Sequence, residues 1–122
     1  MIMLAPAQSE LLYAAESAGL PTASEVFADR RYMADGTLAP RSLDGSVIHD
    51  PVDAIEHALR LASGLPITAL DTGAELLLRA DSICVHGDKP SAVEQARGVR
   101  DALLAEGFTL CTLPEIVARS CH

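Results

Sequence analysis

Aromatic residues are scarce in this chain, which has no tryptophan, two tyrosines and two phenylalanines among 122 residues. Aromatic side chains make up 3% of the sequence and hydrophobic residues 49%, so a core has to be built from aliphatic side chains and alanine. The length is typical of one domain and leaves no room for two full cores. We therefore expect residues 1–122 to form a single domain.

Positive charge is also in short supply, because 9 Lys and Arg residues stand against 17 Asp and Glu residues, giving a formal net charge of −8. Such a surface repels phosphate backbones and anionic lipids, which excludes nucleic acid and a membrane surface as favoured partners. No run approaches the ~20 apolar residues that a membrane span needs. The first residues, MIMLAPAQSELL, lack the positive leader of a signal peptide, which predicts a cytoplasmic protein.

Motifs for metals and nucleotides are missing as well. The three cysteines, Cys84, Cys111 and Cys121, have no CxxC spacing, so they indicate neither a zinc site nor a disulfide framework. Cys84 lies in an apolar stretch and is interpreted as a small buried side chain in a reducing compartment. The chain contains no HExxH motif and no GxxxxGK[ST] phosphate loop.

Helices and strands alternate in the sequence. Caps, prolines and terminal glycines predict helices over residues 8–18, from Asp50 to Gly64 and from Pro90 to Gly107. Short β-prone runs predict strands over 24–28, 75–78, 82–85 and 108–113, and residues 32–49 look like a long loop. This alternation favours an α/β fold with parallel strands. The second helix is predicted to bury Val52, Ile55, Leu59 and Ala62, with His57 solvated.

Two polar clusters follow predicted strands. Asp29 and Arg30 come after the strand SEVFA, and His86, Gly87 and Asp88 come after SICV. Loops at the carboxyl ends of parallel strands share one rim, so the two clusters are expected to converge. His86 can act as an acid or base near neutral pH, and Asp88 can orient it or accept a proton. The alternative is that Asp88 caps the following helix and His86 binds a backbone carbonyl.

Four polar residues, Asp29, Arg30, Arg41 and His49, each have two interpretations. Asp29 with Arg30 is either a functional pair or a surface pair, and a surface pair would stabilise the fold by only ~0 to 1 kcal/mol. Arg41, in the long loop, can hold a carboxylate in a bidentate geometry or remain a solvated arginine. His49 is assigned to the helix entry at Asp50 rather than to a metal site.

Four blocks of sequence carry a family resemblance. They are EVFADRRY at 25–32, DGTLAPRS at 35–42, VIHDP at 47–51 and ICVHGDKPSAVEQARGVRDAL at 83–103. In order and spacing, these blocks resemble the LamB/YcsF family, the A subunit of bacterial 5-oxoprolinase. Only the C-terminal half of the family pattern is matched, and Lys89 and Ser91 stand where the family more often has Thr and Gly.

The resemblance implies a partial irregular (β/α) barrel of the glycoside hydrolase/deacetylase type. It implies a subunit or fragment of an enzyme that opens 5-oxo-L-proline to L-glutamate with hydrolysis of ATP, using Mg²⁺ and two partner subunits. On the matching positions, His86, Asp88 and Asp29 are the expected catalytic residues, and Arg30 and Arg41 are the expected substrate-binding residues.

Because the family's N-terminal half is not matched, the chain alone is expected to be inactive. A half barrel exposes strand edges and apolar surface, so a separate N-terminal half or self-association is expected to cover them. Two alternative functions remain. One is a non-catalytic assembly module that docks on partner subunits, and the other is a metal-dependent deacetylase-like hydrolase suggested by fold analogy.

Overall fold

The computed structural model describes residues 1–88 and 90–118, so Lys89 and Cys121 lie outside the described residues. Helices and strands alternate along most of this part of the chain. In chain order the elements are β1 (Met3–Pro6), α1 (Glu10–Ser17), β2 (Thr22–Phe27), α2 (Pro51–Ala62), β3 (Ile67–Thr68), β4 (Glu75–Leu76), β5 (Ser82–Cys84), α3 (Ala92–Ala105) and α4 (Leu113–Val117).

A three-stranded parallel sheet organises the molecule, in the order β1–β2–β5. Its register pairs Pro6 with Glu25 and Phe27 with Cys84. The short strands β3 and β4 form a separate antiparallel pair. The predicted α/β class with parallel strands is therefore confirmed.

Helix ends follow the signals in the sequence. The Ser9 side chain accepts a hydrogen bond from the Leu12 backbone at the start of α1, and the Asp50 side chain accepts one from Val52 at the start of α2. Each bond satisfies a backbone N–H that has no partner within its helix. Gly64 has a φ of 69°, a left-handed conformation that suits glycine just beyond a helix end.

The two faces of the sheet differ in exposure. Toward one face point the buried residues Ala5, Ser24, Val26 and Ala28. The opposite face is less covered, although α4 lies near β2. We call this opposite side the open face, defined by Leu4, Pro6, Glu25, Phe27 and Cys84, which are exposed or half-buried, although Ala23, paired with Leu4 on the same side, is buried. Parallel sheets are normally covered on both faces, so the open face is an unusual feature.

Small residues form much of the core, as the low aromatic content predicts. One apolar cluster is built around Val26, Tyr32, Leu61 and Leu78. A second cluster joins Ala28 at the end of β2 to Ala58 of α2 and to Val99 and Leu103 of α3. These clusters attach α2 and α3 to the sheet and thereby fix the strand ends.

Several predicted details of the helices are wrong. Val52 is 69% exposed, and the fully or nearly fully buried residues of α2 are Ala54, Ala58 and Leu61, because small side chains let the helix lie close to the sheet. His57 is not solvated, since its Nε2 atom is buried. For α3 the sequence predicts a buried face of Ala92, Val93, Ala96, Val99, Leu103 and Leu104. Val99 and Leu103 are buried as predicted, whereas Val93 and Leu104 are exposed and the polar residue Gln95 is buried instead.

The chain end also differs from the prediction. The sequence predicts a strand over residues 108–113, but the structure has no strand there, and α4 begins at Leu113 instead. Thr112 and Glu115 form a capping box that starts this helix. Cys84 is a free thiol, whereas Cys111 is disulfide-bonded, which the cysteine spacing did not predict.

Candidate active site

The carboxyl ends of β2 and β5 bring two side chains into direct contact. Asp29 follows β2 and His86 follows β5, and the Asp29 Oδ1 atom lies 2.8 Å from the His86 Nδ1 atom. Asp29 is 1% exposed, whereas the His86 side chain keeps 25% of its surface exposed. The expected convergence of the two polar clusters is thus observed, and it joins His86 to Asp29.

The position of this pair follows from the sheet register. Because Phe27 is paired with Cys84, the residues two positions further along, Asp29 and His86, also lie side by side and point to the same face. The backbone N–H of Ala28 donates to the Cys84 carbonyl, which continues the pairing beyond the strands. The Asp29 carbonyl accepts a hydrogen bond from Ile48, so the long loop is attached at the same point.

An aromatic ring completes the immediate surroundings of His86. The rings of Phe27 and His86 are stacked, with centroids 5.7 Å apart and an interplanar angle of 12°. The backbone N–H of Phe27 donates to the Tyr32 hydroxyl over 3.1 Å. Tyr32 is 2% exposed, and burial raises the pKa of Tyr32 to about 12, so its hydroxyl stays protonated at neutral pH.

Arg30, the residue after Asp29, is buried and is partly committed to the backbone. Its Nη2 atom donates to the Ala39 carbonyl over 2.7 Å, which holds the long loop against the end of β2. Its buried Nε atom has no hydrogen-bond partner within the described residues. A buried N–H without a partner is costly, so a hydrogen bond from this atom to a bound molecule would be favourable, but the residues that bury it would first have to move aside.

Asp88 and Arg41 lie outside this arrangement. Asp88 is exposed, and α3 begins at Ala92 with Ser91 as its N-cap, so Asp88 does not cap that helix. Arg41 is exposed, and its backbone carbonyl accepts a hydrogen bond from Ser46. The roles expected for these two residues remain predictions, and the geometry does not bring either one to the His86–Asp29 pair.

Comparison with known proteins links these residues to a family. The family model described as LamB/YcsF family matches residues 1–118. The chain belongs to the LamB/YcsF family. Both Asp29 and His86 lie inside the matched segment.

Relatives of this LamB/YcsF chain carry an enzyme name. This chain is 46% identical over 110 residues to the 5-oxoprolinase A subunit of Rhodopseudomonas palustris. The alignment covers 90% of this chain and 43% of that protein. The chain is 50% identical over 102 residues to the 5-oxoprolinase A subunit of Coprothermobacter proteolyticus, covering 84% of this chain and 39% of that protein.

A solved structure agrees with the family assignment. The lactam utilization protein from Thermus thermophilus superimposes with a TM-score of 0.78 at 40% identity, covering 88% of this chain and 42% of that one. This LamB/YcsF chain therefore spans less than half the length of the relatives that it matches.

The residues of the described ranges do not form a metal site of the usual kind. Residues 1–88 and 90–118 contain no group of three or more His, Cys, Asp or Glu side chains placed to hold a metal ion. The described helices also include none that is long and apolar enough to cross a membrane. Mg²⁺ usually takes one or two carboxylates from a protein and its other ligands from phosphate and water, and the Asp29 carboxylate beside His86 is a donor of that type.

Sequence reasoning missed two residues of the LamB/YcsF site. Phe27 precedes Asp29 by two positions along the strand direction, and alternate residues of a strand point to the same face. The sequence alone therefore could have placed Phe27 beside Asp29. Tyr32 follows the strand by five residues and reaches back through a loop, and no local pattern reports such a contact.

Proposed function

We propose that this chain is part of a 5-oxoprolinase that opens the lactam ring of 5-oxo-L-proline to L-glutamate with hydrolysis of ATP. The observation that carries the proposal is the buried Asp29 carboxylate bonded to the partly exposed His86 imidazole, within a segment that belongs to the family. The names of the relatives support the substrate class. Two partner subunits and ATP enter the proposal by the family resemblance.

The pair can move a proton. An ionised Asp29 only accepts hydrogen bonds, so it holds His86 in the tautomer with its proton on Nδ1 and leaves the Nε2 lone pair free. Nε2 then takes a proton from the water that attacks the lactam carbon, and the buried carboxylate stabilises the resulting imidazolium. The same proton passes to the ring nitrogen when the carbon–nitrogen bond breaks. A lactam is a stable amide, so its oxygen would first take the terminal phosphoryl group of ATP, which releases ADP. Addition of water and cleavage of the carbon–nitrogen bond then leave an acyl phosphate, and a second water hydrolyses it to glutamate and inorganic phosphate.

The buried Arg30 guanidinium supports binding of the anionic substrate. The carboxylate of 5-oxo-L-proline is an acceptor, and the Arg30 Nε atom is a donor without a partner in the described part of the chain. A charged hydrogen bond of this kind stabilises a complex more than a neutral one. Arg41 is exposed on the long loop, and its side chain is a second candidate to bind the substrate carboxylate.

The test is ATP-dependent cleavage of 5-oxo-L-proline, measured as glutamate release. The chain alone is expected to be inactive, and activity is expected when it is combined with the partner subunits and a polypeptide equivalent to the unmatched part of its relatives. His86→Gln and Asp29→Asn should each lower the rate by about 10²- to 10⁴-fold in that mixture. His49→Gln, at an exposed histidine of the helix entry, is the matched control and should keep the full rate.

Two outcomes would contradict the proposal. Vigorous cleavage by the chain alone would remove the need for a complementary polypeptide. Full activity of the His86→Gln and Asp29→Asn mixtures would instead favour the non-catalytic assembly module, since the chain would then contribute binding surface alone.

A further inference from the structure

The Asp29–His86 hydrogen bond is a single contact at one edge of the imidazole. The ring turns about its Cβ–Cγ bond, and a hydrogen bond at Nδ1 restrains this torsion only within the range of angles that such a bond tolerates. The direction of the Nε2 lone pair depends on the same torsion. The His86 side chain is 25% exposed, so further restraint has to come from residues on its buried side.

Phe27 supplies the missing restraint. Its ring lies nearly parallel to the imidazole, with an angle of 12° and a centroid separation of 5.7 Å. This distance and angle fall in the range of offset-stacked aromatic pairs. A flat partner on one side of the imidazole penalises rotation of the plane, while the bond to Asp29 prevents sliding.

The position of Phe27 is in turn fixed at its backbone. Ala7 donates to the Glu25 carbonyl, so the N–H groups of Glu25 and Phe27 point toward β1. Because β1 ends at Pro6, the Phe27 N–H has passed the end of that strand, and it donates to the Tyr32 hydroxyl instead. Tyr32 belongs to the core cluster around Val26, so the connection from core to imidazole is continuous.

We propose that Phe27 is a positioning residue, which acts through His86 by fixing the plane of the imidazole and hence the direction of its Nε2 atom. The role in catalysis rests on the function proposed above for the Asp29–His86 pair. The ordering of the ring is a property of the chain itself, so it can be measured whether or not the chain takes part in lactam cleavage.

The first measurement uses the unaltered protein with ¹⁵N-labelled histidine. In spectra recorded over a range of pH, the ¹⁵N shifts of the neutral form of His86 should report one tautomer with the proton on Nδ1. The carbon-bound protons of the His86 ring should show a ring-current shift caused by Phe27. They should also show nuclear Overhauser effects to the protons of the Phe27 ring. Absence of the ring-current shift and of these contacts would overturn the proposal without any variant.

Two substitutions separate stacking from simple space filling. Phe27→Leu keeps an apolar side chain but removes the flat face, so the ¹³C order parameters of the His86 ring should fall, while the ¹⁵N shifts should keep the tautomer that Asp29 sets. Phe27→Tyr keeps the flat face and should restore the order parameters of the unaltered protein. Thermal unfolding establishes that both variants are folded. A folded Phe27→Leu protein whose His86 ring keeps the order parameters of the unaltered chain would disprove the positioning role.

Activity in the reconstituted mixture gives a separate result. Phe27→Leu should lower kcat on the order of 10- to 100-fold with little change in KM, because misdirection of the base affects the reacting geometry more than substrate binding. Phe27→Tyr should restore kcat. If the mixture cleaves no lactam although NMR shows that the His86 ring is ordered, the proposed function is refuted. The positioning of the ring by Phe27 would still stand. Equal kcat values for Phe27→Leu and the unaltered chain would contradict the positioning role.

Discussion

At the scale of single residues, His57 shows how burial decides the behaviour of a titratable group. Its Nε2 atom is buried and has no hydrogen-bond partner in the described ranges. Burial lowers the pKa of His57 to about 4, and a hydrogen bond with the Arg30 backbone acts in the opposite direction. The neighbouring Arg31 and Arg60 also disfavour the charged ring.

The pKa of His57 predicts a loss of stability in acid. The unfolded chain takes up this proton near pH 6.5, whereas the folded chain resists it down to about pH 4. Stability contributed by the neutral ring is therefore fully present above pH 6.5 and is lost as the pH falls toward 4. We expect the loss to be on the order of 1–3 kcal/mol.

Urea unfolding between pH 7 and pH 4 measures this loss. His57→Gln removes the titrating ring and should flatten the pH dependence over that interval, compared with the unaltered chain. The His49→Gln protein, which lacks an exposed histidine instead, should keep the original slope. An unchanged slope in His57→Gln would show that other groups cause the acid sensitivity.

The sequence predicts which residues belong to the candidate site better than it predicts which of them contact each other. The two strand-end clusters were recognisable, but Asp88, one residue from His86 across a glycine, looked like its natural partner. The actual partner is Asp29, 57 positions away, because β2 and β5 lie side by side. Pairing between strands depends on the whole fold, so a local pattern could not choose between the two carboxylates.

At the scale of elements, α2 and α3 pack closely because Gly98 lacks a side chain. A Cβ atom built on Gly98 would overlap the Cδ1 atom of Ile55 on α2. A larger residue here has to displace Ile55 or separate the helices, both of which disturb the cluster that contains Ala58 and Val99.

Gly98→Leu is therefore expected to destabilise the fold. Overpacking of this kind typically costs about 1–3 kcal/mol, more than the gain in helix propensity from replacing glycine, which is about 1 kcal/mol. Arg97→Leu places the same side chain at the preceding, exposed position of α3 and should change stability by less than about 0.5 kcal/mol. The urea concentration at the unfolding midpoint should be lower for Gly98→Leu than for Arg97→Leu. Equal midpoints would mean that the contact between α2 and α3 at Gly98 is not tight.

Elements with local signals were predictable, and those that depend on distant partners were not. The caps at Ser9 and Asp50 located α1 and α2, since each cap bond is made within three residues. Strand β1 was missed, because MLAP is short and contains a proline and is recognised only by its pairing with β2. The apolar run 108–113 was assigned to a strand, but the capping box at Thr112 was the stronger signal.

At the scale of the whole molecule, the open face and the length of the relatives point to the same conclusion. Leu4 on the open face is 40% exposed, and the sheet has covering helices mainly on its other side. The matched relatives are more than twice as long as the aligned segment. We therefore expect the open face to receive a polypeptide equivalent to the part of the relatives that this chain does not match.

Replacement of one leucine on the open face should weaken that association. Leu4→Lys places a charge where an apolar contact is expected, and burying an unpaired charge is costly. Mixed with the complementary polypeptide, the unaltered chain should form a 1:1 complex in sedimentation velocity, and Leu4→Lys should raise its Kd at least about tenfold, or ~1.4 kcal/mol.

Leu11→Lys is the matched control for this experiment, because Leu11 is 51% exposed on α1 and does not belong to the open face. Its complex should form with the affinity of the unaltered chain. Equal weakening by both substitutions would indicate a general charge effect rather than a defined surface. Self-association of the chain that persists in the presence of the complementary polypeptide would mean that a second copy, and not that polypeptide, covers the open face, with the Asp29–His86 pair at its rim.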